Sequence, residues 1–151
     1  MNGKNKRKGK TKLIGLLLVA AAVMWAVLRL TTVGKPVIDG STNEKRISYI
    51  ESFGWDTSTV PTSVKEVRIP ADFDEAYKQY NALQKEQGFD LRRYRAYFAK
   101  KYTYPLKKYD GADPSVPIYA NLLVIDGNIV GADISSSEAG GFVTVLAKKS
   151  Q

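Results

Sequence analysis

The sequence predicts an α+β fold: a mainly antiparallel sheet of about four to five strands packed with two helices, preceded by one N-terminal transmembrane helix. Three observations predict it. An uninterrupted apolar run stands near the N-terminus, two segments of helical periodicity follow, and strand-like segments joined by short turns come last.

The apolar run Leu13–Leu28 reads LIGLLLVAAAVMWAVL, and Arg29 and Leu30 extend it. As a helix, residues 13–30 span roughly 27 Å, close to the hydrocarbon core of a bilayer. Arg29 can reach the interface with its guanidinium, and Trp25 lies near the same end. Lys4, Lys6, Arg7, Lys8, Lys10 and Lys12 precede the run with no acid among them. The positive-inside rule keeps such a segment in the cytoplasm, so the chain after Leu30 is expected outside. Ala20-Ala21-Ala22 also imitates a signal-peptidase site, but cleavage there would leave the apolar stub Val23–Leu28 on the mature chain. The expected organisation is a basic cytoplasmic N-region (1–12), an anchor (13–30), a stalk (31–41) and an extracytoplasmic α+β domain (42–149). The expected localisation is the cell membrane, single-pass.

The formal charge of +8 follows from this topology. Of 23 basic residues seven precede Thr31, where no acid occurs, which leaves 16 against 15 acids in the rest. The outer part is nearly neutral, so no nucleic-acid partner is expected. There is no Cys and no His. Disulfides, acylated-Cys anchoring, ordinary zinc sites, Ser-His-Asp triads and Cys-His nucleophiles are excluded. No cofactor and no metal site are expected, and any catalysis falls to Asp, Glu, Lys, Tyr or Ser.

Gly and Pro in Thr31–Gly40 predict the stalk. Ser41 and Glu44 have capping-box spacing, and Ile47, Ile50 and Phe53 form the apolar stripe of a helix over about Thr42–Phe53 that Gly54 stops. Thr57–Ser63 reads as a loop and Val64–Ile69 as a strand ended by Pro70. Asp72 or a neighbour is expected to cap a second helix, about Phe73–Gln87, with Phe73, Tyr77, Tyr80 and Leu83 on its apolar face and Gly88 at its end. Asp90–Tyr94 forms one further turn. Ala99–Tyr109 alternates, with Tyr102, Tyr104 and Leu106 of one parity, and Pro105 predicts an edge position or a bulge. Ile118–Ile125 and Asn128–Ile134 flank Asp126-Gly127, a hairpin signature, and Phe142–Leu146 is a last strand.

Together, Ile69-Pro70, Phe73, Tyr80-Asn81, Gln84, Gly88-Phe89-Asp90-Leu91 and the hairpin ANLLVIDGNIVGADI resemble a domain-of-unknown-function family, DUF4830, of small Firmicutes proteins. The resemblance covers about Asn43–Leu146. It implies one N-terminal membrane segment and an extracytoplasmic, Gram-positive envelope setting, and it brings no activity or site. The family pattern has Gly-Gly-Asp where this chain has Gly131-Ala132-Asp133.

Three groups of residues are candidates for function. Leu91–Tyr109 contains Arg92, Arg93, Arg95, Lys100 and Lys101 interleaved with Tyr94 and Tyr97, and no acid. Cations with aromatic faces can grip phosphate-rich polymers, lipid headgroups or glycans; the alternative is a strand with Tyr inward and Lys outward. Asn81 and Gln84 share a helix face, with Asp90 nearby, and either bind a ligand or tie the helix end to the next loop. Asp133, beside Ser135–Ser137, is either a general base or a structural carboxylate bonding turn amides; a glycosidase would need a second carboxylate, with Glu138 and Asp126 the options. The expected function is a non-catalytic module that is held in the bilayer by Leu13–Leu30 and binds a protein or an anionic envelope polymer. The alternative is a carboxylate-based enzyme acting on envelope glycan or wall polymer.

Overall fold

A computed structural model describes residues 37–111, 113–138 and 140–147. The basic N-region, the anchor and the stalk as far as Pro36 lie outside the described residues. Among the described residues no helix is long and apolar enough to cross a membrane.

The elements run in the order β1 (Ile38–Asp39), α1 (Asn43–Glu51), β2 (Ser63–Arg68), α2 (Glu75–Glu86), a 3-10 turn (Leu91–Tyr94), β3 (Phe98–Pro105), β4 (Ile118–Ile125), β5 (Asn128–Ser136) and β6 (Val143–Thr144). The strands form one antiparallel sheet in the order β1-β5-β4-β3-β2, with β6 also on β5. The fold is thus α+β with two helices on a six-stranded sheet, two of whose strands are only two residues long. The end of the segment read as stalk belongs to the sheet. Ile38 and Asp39 pair with Ile129 and Asn128, and the Gly40 amide donates to the Gly127 carbonyl at 2.8 Å.

The helix starts differ from the sequence reading, and both differences are decided by hydrogen bonds. Thr42 caps α1, its side chain accepting from the Lys45 amide, while Ser41 turns back to the Asp39 carboxylate at 2.7 Å. Asp74 caps α2 by accepting from the Tyr77 amide at 2.8 Å. Helix α2 ends in a Schellman arrangement: Phe89 N–H donates to Gln84 C=O, Gly88 N–H donates to Lys85 C=O, and Gly88 takes φ +88°.

The two faces of the sheet bury separate clusters, one under each helix. Ile50 of α1 packs with Tyr104, Ala120, Leu122, Val124 and Ile134. Phe73, Tyr77 and Tyr80 pack with Leu123, Ile125, Ala99 and Val130 on the other face. The apolar stripe expected of α2 is therefore only its flank. Its deepest positions are polar: Asn81 at 4% exposure and Gln84 at 0%.

Strand β3 is interior, between β2 and β4, and not at an edge as Pro105 suggested. Pro105 is tolerated because β2 begins only opposite Thr103, so no strand asks Pro105 for an amide on that side. Its carbonyl accepts from the Ser58 amide and the Thr57 hydroxyl. The β4–β5 hairpin turns at Asp126 (φ +48°) and Gly127 (φ +76°), the paired left-handed conformations of a type I′ turn. Val130 is an extra residue in β5, because Leu123 faces Gly131 while Val124 faces Ile129.

Candidate functional site

The β4–β5 register decides what Asp133 meets. Thr103 faces Asn121, and Asn121 faces Asp133, so three polar side chains lie in one row across β3, β4 and β5. The row is on the α2 face. Asn121 donates from Nδ2 to the Asp133 carboxylate at 2.7 Å and to Ser135 Oγ at 2.9 Å, and its Oδ1 accepts from Thr103 Oγ1 at 2.9 Å. From α2, the Tyr80 hydroxyl donates to the second Asp133 oxygen at 2.7 Å. Asn121 and Asp133 are 2% and 4% exposed.

Asp133 is thus a strand residue held by a phenol and an amide, and it does not bond turn amides. Burial pushes its carboxyl above the usual carboxylate value; the Tyr80 and Asn121 hydrogen bonds and the Lys101 charge pull the other way. The Tyr80 hydroxyl is driven well up, first by burial and then by the charge of Asp133. No carboxylate is among the groups that act on Asp133. Asp126 sits in the turn at the far end of the hairpin, and Glu138 lies beyond the end of β5. An acid–base pair of the glycosidase kind is not assembled around Asp133 among the described residues.

Asn81, Gln84 and Asp90 are brought to one end of α2 but face different partners. Asn81 accepts from the Leu91 amide at 2.7 Å and donates to Asp90 at 3.1 Å, which ties the helix to the following turn. Gln84 reaches the sheet. Its Oε1 accepts from Ala132 N–H at 2.8 Å and its Nε2 donates to Ala132 C=O at 2.9 Å. Neither β1 nor β6 pairs with Ala132, so the Gln84 amide stands in for a strand residue in the gap between them. Gln87 adds a donor to the same carbonyl at 2.7 Å and accepts from the Leu146 amide at 2.9 Å. Gly131 allows this close approach: a Cβ there would lie 3.1 Å from Gln84 Oε1 and 3.2 Å from Leu123. The next residue needs no such space, because Ala132 points its methyl into the α1-side cluster.

The structure splits the basic segment. Lys100 and Lys101 project from opposite faces of β3, with Lys100 directly across from Glu66. Arg92 pairs with Asp90 at 2.8 Å, and beyond the strand Lys107 pairs with Asp56 and Lys108 with Asp110. Tyr94 and Tyr97 meet edge to face at 6.4 Å. Arg95 stacks over Phe73 at 5.2 Å, and Arg68, from β2, lies over Phe98 at 5.9 Å. Among the described residues Arg68, Arg93 and Arg95 form no ion pair.

Arg46, Arg68 and Asn121 escaped the sequence reading. Arg46 is buried in α1, its Nε donating to the Tyr104 hydroxyl at 2.9 Å, one terminal nitrogen to Gly40 C=O at 2.7 Å, and its guanidinium 3.7 Å from the Tyr102 ring centre. Arg68 was hidden in a strand distant from the basic segment in sequence. For Asn121 there was one signal, an amide inside an apolar strand, IYANLLVI, where a buried polar group needs a partner.

A family model described as a domain of unknown function (DUF4830) matches residues 49–134, more than half of the chain, and the chain belongs to that family. The match contains Tyr80, Gln84, Asn121 and Asp133 and stops before β6. No curated protein and no solved structure matches the chain.

Proposed function

We propose that the chain is a single-pass membrane protein, anchored by residues 13–30, that exposes a small, non-catalytic interaction module outside the cytoplasm. Its partner is a protein or an anionic component of the envelope. The observation that carries the reading is the contrast along the sequence: six basic residues before an unbroken apolar run, then a nearly neutral domain. The exposed arginines and aromatics of that domain supply the means of contact. Protease added to intact protoplasts is expected to remove the chain after Thr31 while the N-region stays protected. Full protection of the domain would reverse the orientation.

One observation favours a second reading, a carboxylate enzyme acting on envelope glycan or wall polymer. Asp133 is a buried carboxyl whose two oxygens accept from Tyr80 and Asn121, and burial raises its proton affinity. In that role it would be a general base, with Tyr80 and Asn121 orienting it.

A further inference from the structure

Tyr97 and Phe98 are 56% and 59% exposed, large rings on the surface of a small domain. They are held there by the backbone. Ala96 takes φ +65°, a left-handed conformation for a residue with a side chain. Its amide donates to Ile69 C=O at 3.0 Å, and Ile69 N–H donates to Tyr97 C=O at 2.9 Å. Ile69 is fully buried, so the turn that displays the two rings is pinned to the core. Arg68 and Arg95 flank the rings, stacked on aromatic faces and without a carboxylate partner among the described residues. Rings at a polar boundary beside unpaired arginines match a headgroup layer, where the ring enters and the guanidinium takes phosphate.

The first strand runs toward the same end of the sheet, Ile38 opposite Ile129 and Asp39 opposite Asn128. Arg68 closes β2, Phe98 opens β3, and Gly40 and Gly127 meet beside them. A hollow of ≈ 370 Å³ beside the Arg68 and Arg95 rim is lined by Gly40, Phe98, Lys100 and Gly127, with the acids Glu66 and Asp126 on its wall. Six residues, 31–36, separate the apolar run from the first described residue, a tether of at most about 21 Å.

We infer that this end of the domain docks on an anionic phospholipid bilayer, Tyr97 and Phe98 entering the headgroup layer while Arg68 and Arg95 bind lipid phosphates. The inference rests on the anchored reading above. The absence of Cys makes a direct test simple, since one introduced thiol is the only labelling site. The full chain carrying a nitroxide at Phe98→Cys, or at Ser115→Cys in the loop at the opposite end of the sheet, is placed in bilayer discs with and without anionic phospholipid. In anionic discs position 98 gains accessibility to oxygen and loses it to a water-soluble nickel chelate, while position 115 stays aqueous. Arg68→Glu with Arg95→Glu lowers the docking equilibrium by roughly tenfold or more. A position 98 that remains aqueous in anionic discs, with the chain still co-floating with the bilayer, overturns the inference and leaves the anchored reading standing. So does a label that is immobilised by soluble polyphosphate and not by the bilayer, which would name a polymer partner. A chain that fails to co-float overturns the anchored reading and this inference with it.

Discussion

The Asp133 row and the Arg68–Arg95 rim both concentrate polar groups on a small domain, and they differ in where the partners lie. In the row every polar atom finds its partner inside the protein: Tyr80 and Asn121 serve Asp133, and Thr103 serves Asn121. No buried side-chain polar atom among the described residues lacks a hydrogen bond. At the rim the arginines find only aromatic faces, and two rings stand in solvent. A satisfied buried network rigidifies a core, whereas exposed, unpaired cations beside rings are available to a partner. The row is thus a structural element of the core, and the rim is the part of the domain open to contact.

The strongest way to test the inward half of this contrast is Gln84→Leu. It keeps the side-chain volume and removes both bonds to Ala132, leaving a buried amide without an acceptor. A loss of about 2–3 kcal/mol in urea unfolding is expected. A change below about 0.5 kcal/mol would mean that the amide does not complete the sheet.

Asp133→Asn should have a smaller effect, and one of opposite sign at neutral pH. A carboxyl whose folded value is raised above its unfolded value holds its proton better in the folded state. Its contribution therefore favours folding at low pH and is lost as pH rises from the unfolded value through the folded one. The difference between wild type and Asp133→Asn, followed by denaturant midpoint against pH, should grow across that window in favour of the variant. Using the difference removes Asp39 and Asp90, whose carboxyls are held below the usual range by Lys45 and Arg92 respectively and so act in the opposite direction. If the wild type hydrolyses a wall polymer and the variant does not, the enzyme reading replaces the module.

The smallest effect is expected at the rim. Arg68→Glu with Arg95→Glu should shift the unfolding midpoint by no more than about 0.5 kcal/mol, since neither guanidinium is buried or ion-paired. A larger loss would make these arginines structural and dissolve the contrast between the two regions.

Much of the fold was legible in the sequence because local physics writes it there. The Asp126-Gly127 hairpin, the Gly88 helix stop and the strand Ile118–Ile125 follow from turn chemistry and periodicity. Helix α1 ends earlier than its Gly54 suggested, at Glu51 with Ser52 as the cap. The helix starts slipped by one or two residues because Asp39 and Asp74 offered hydrogen bonds that spacing alone cannot rank. The short strands β1 and β6 were hidden or misjudged in extent because two-residue strands have no period.

The site divides the same way. Composition and order along the chain are enough to show which residue types are present: a domain without Cys or His, a basic leader before an apolar run, and a segment rich in Arg, Lys and Tyr. Their partners were set by the packing of strands and helices. It set Asp133 opposite Asn121 through strand register, lent Gln84 to the sheet, neutralised Arg92 with Asp90, and brought Arg68 beside Phe98 from a different strand. The physical reason is that composition and periodicity are local, while a charge or an amide acquires its role from whichever group long-range packing places within hydrogen-bond reach.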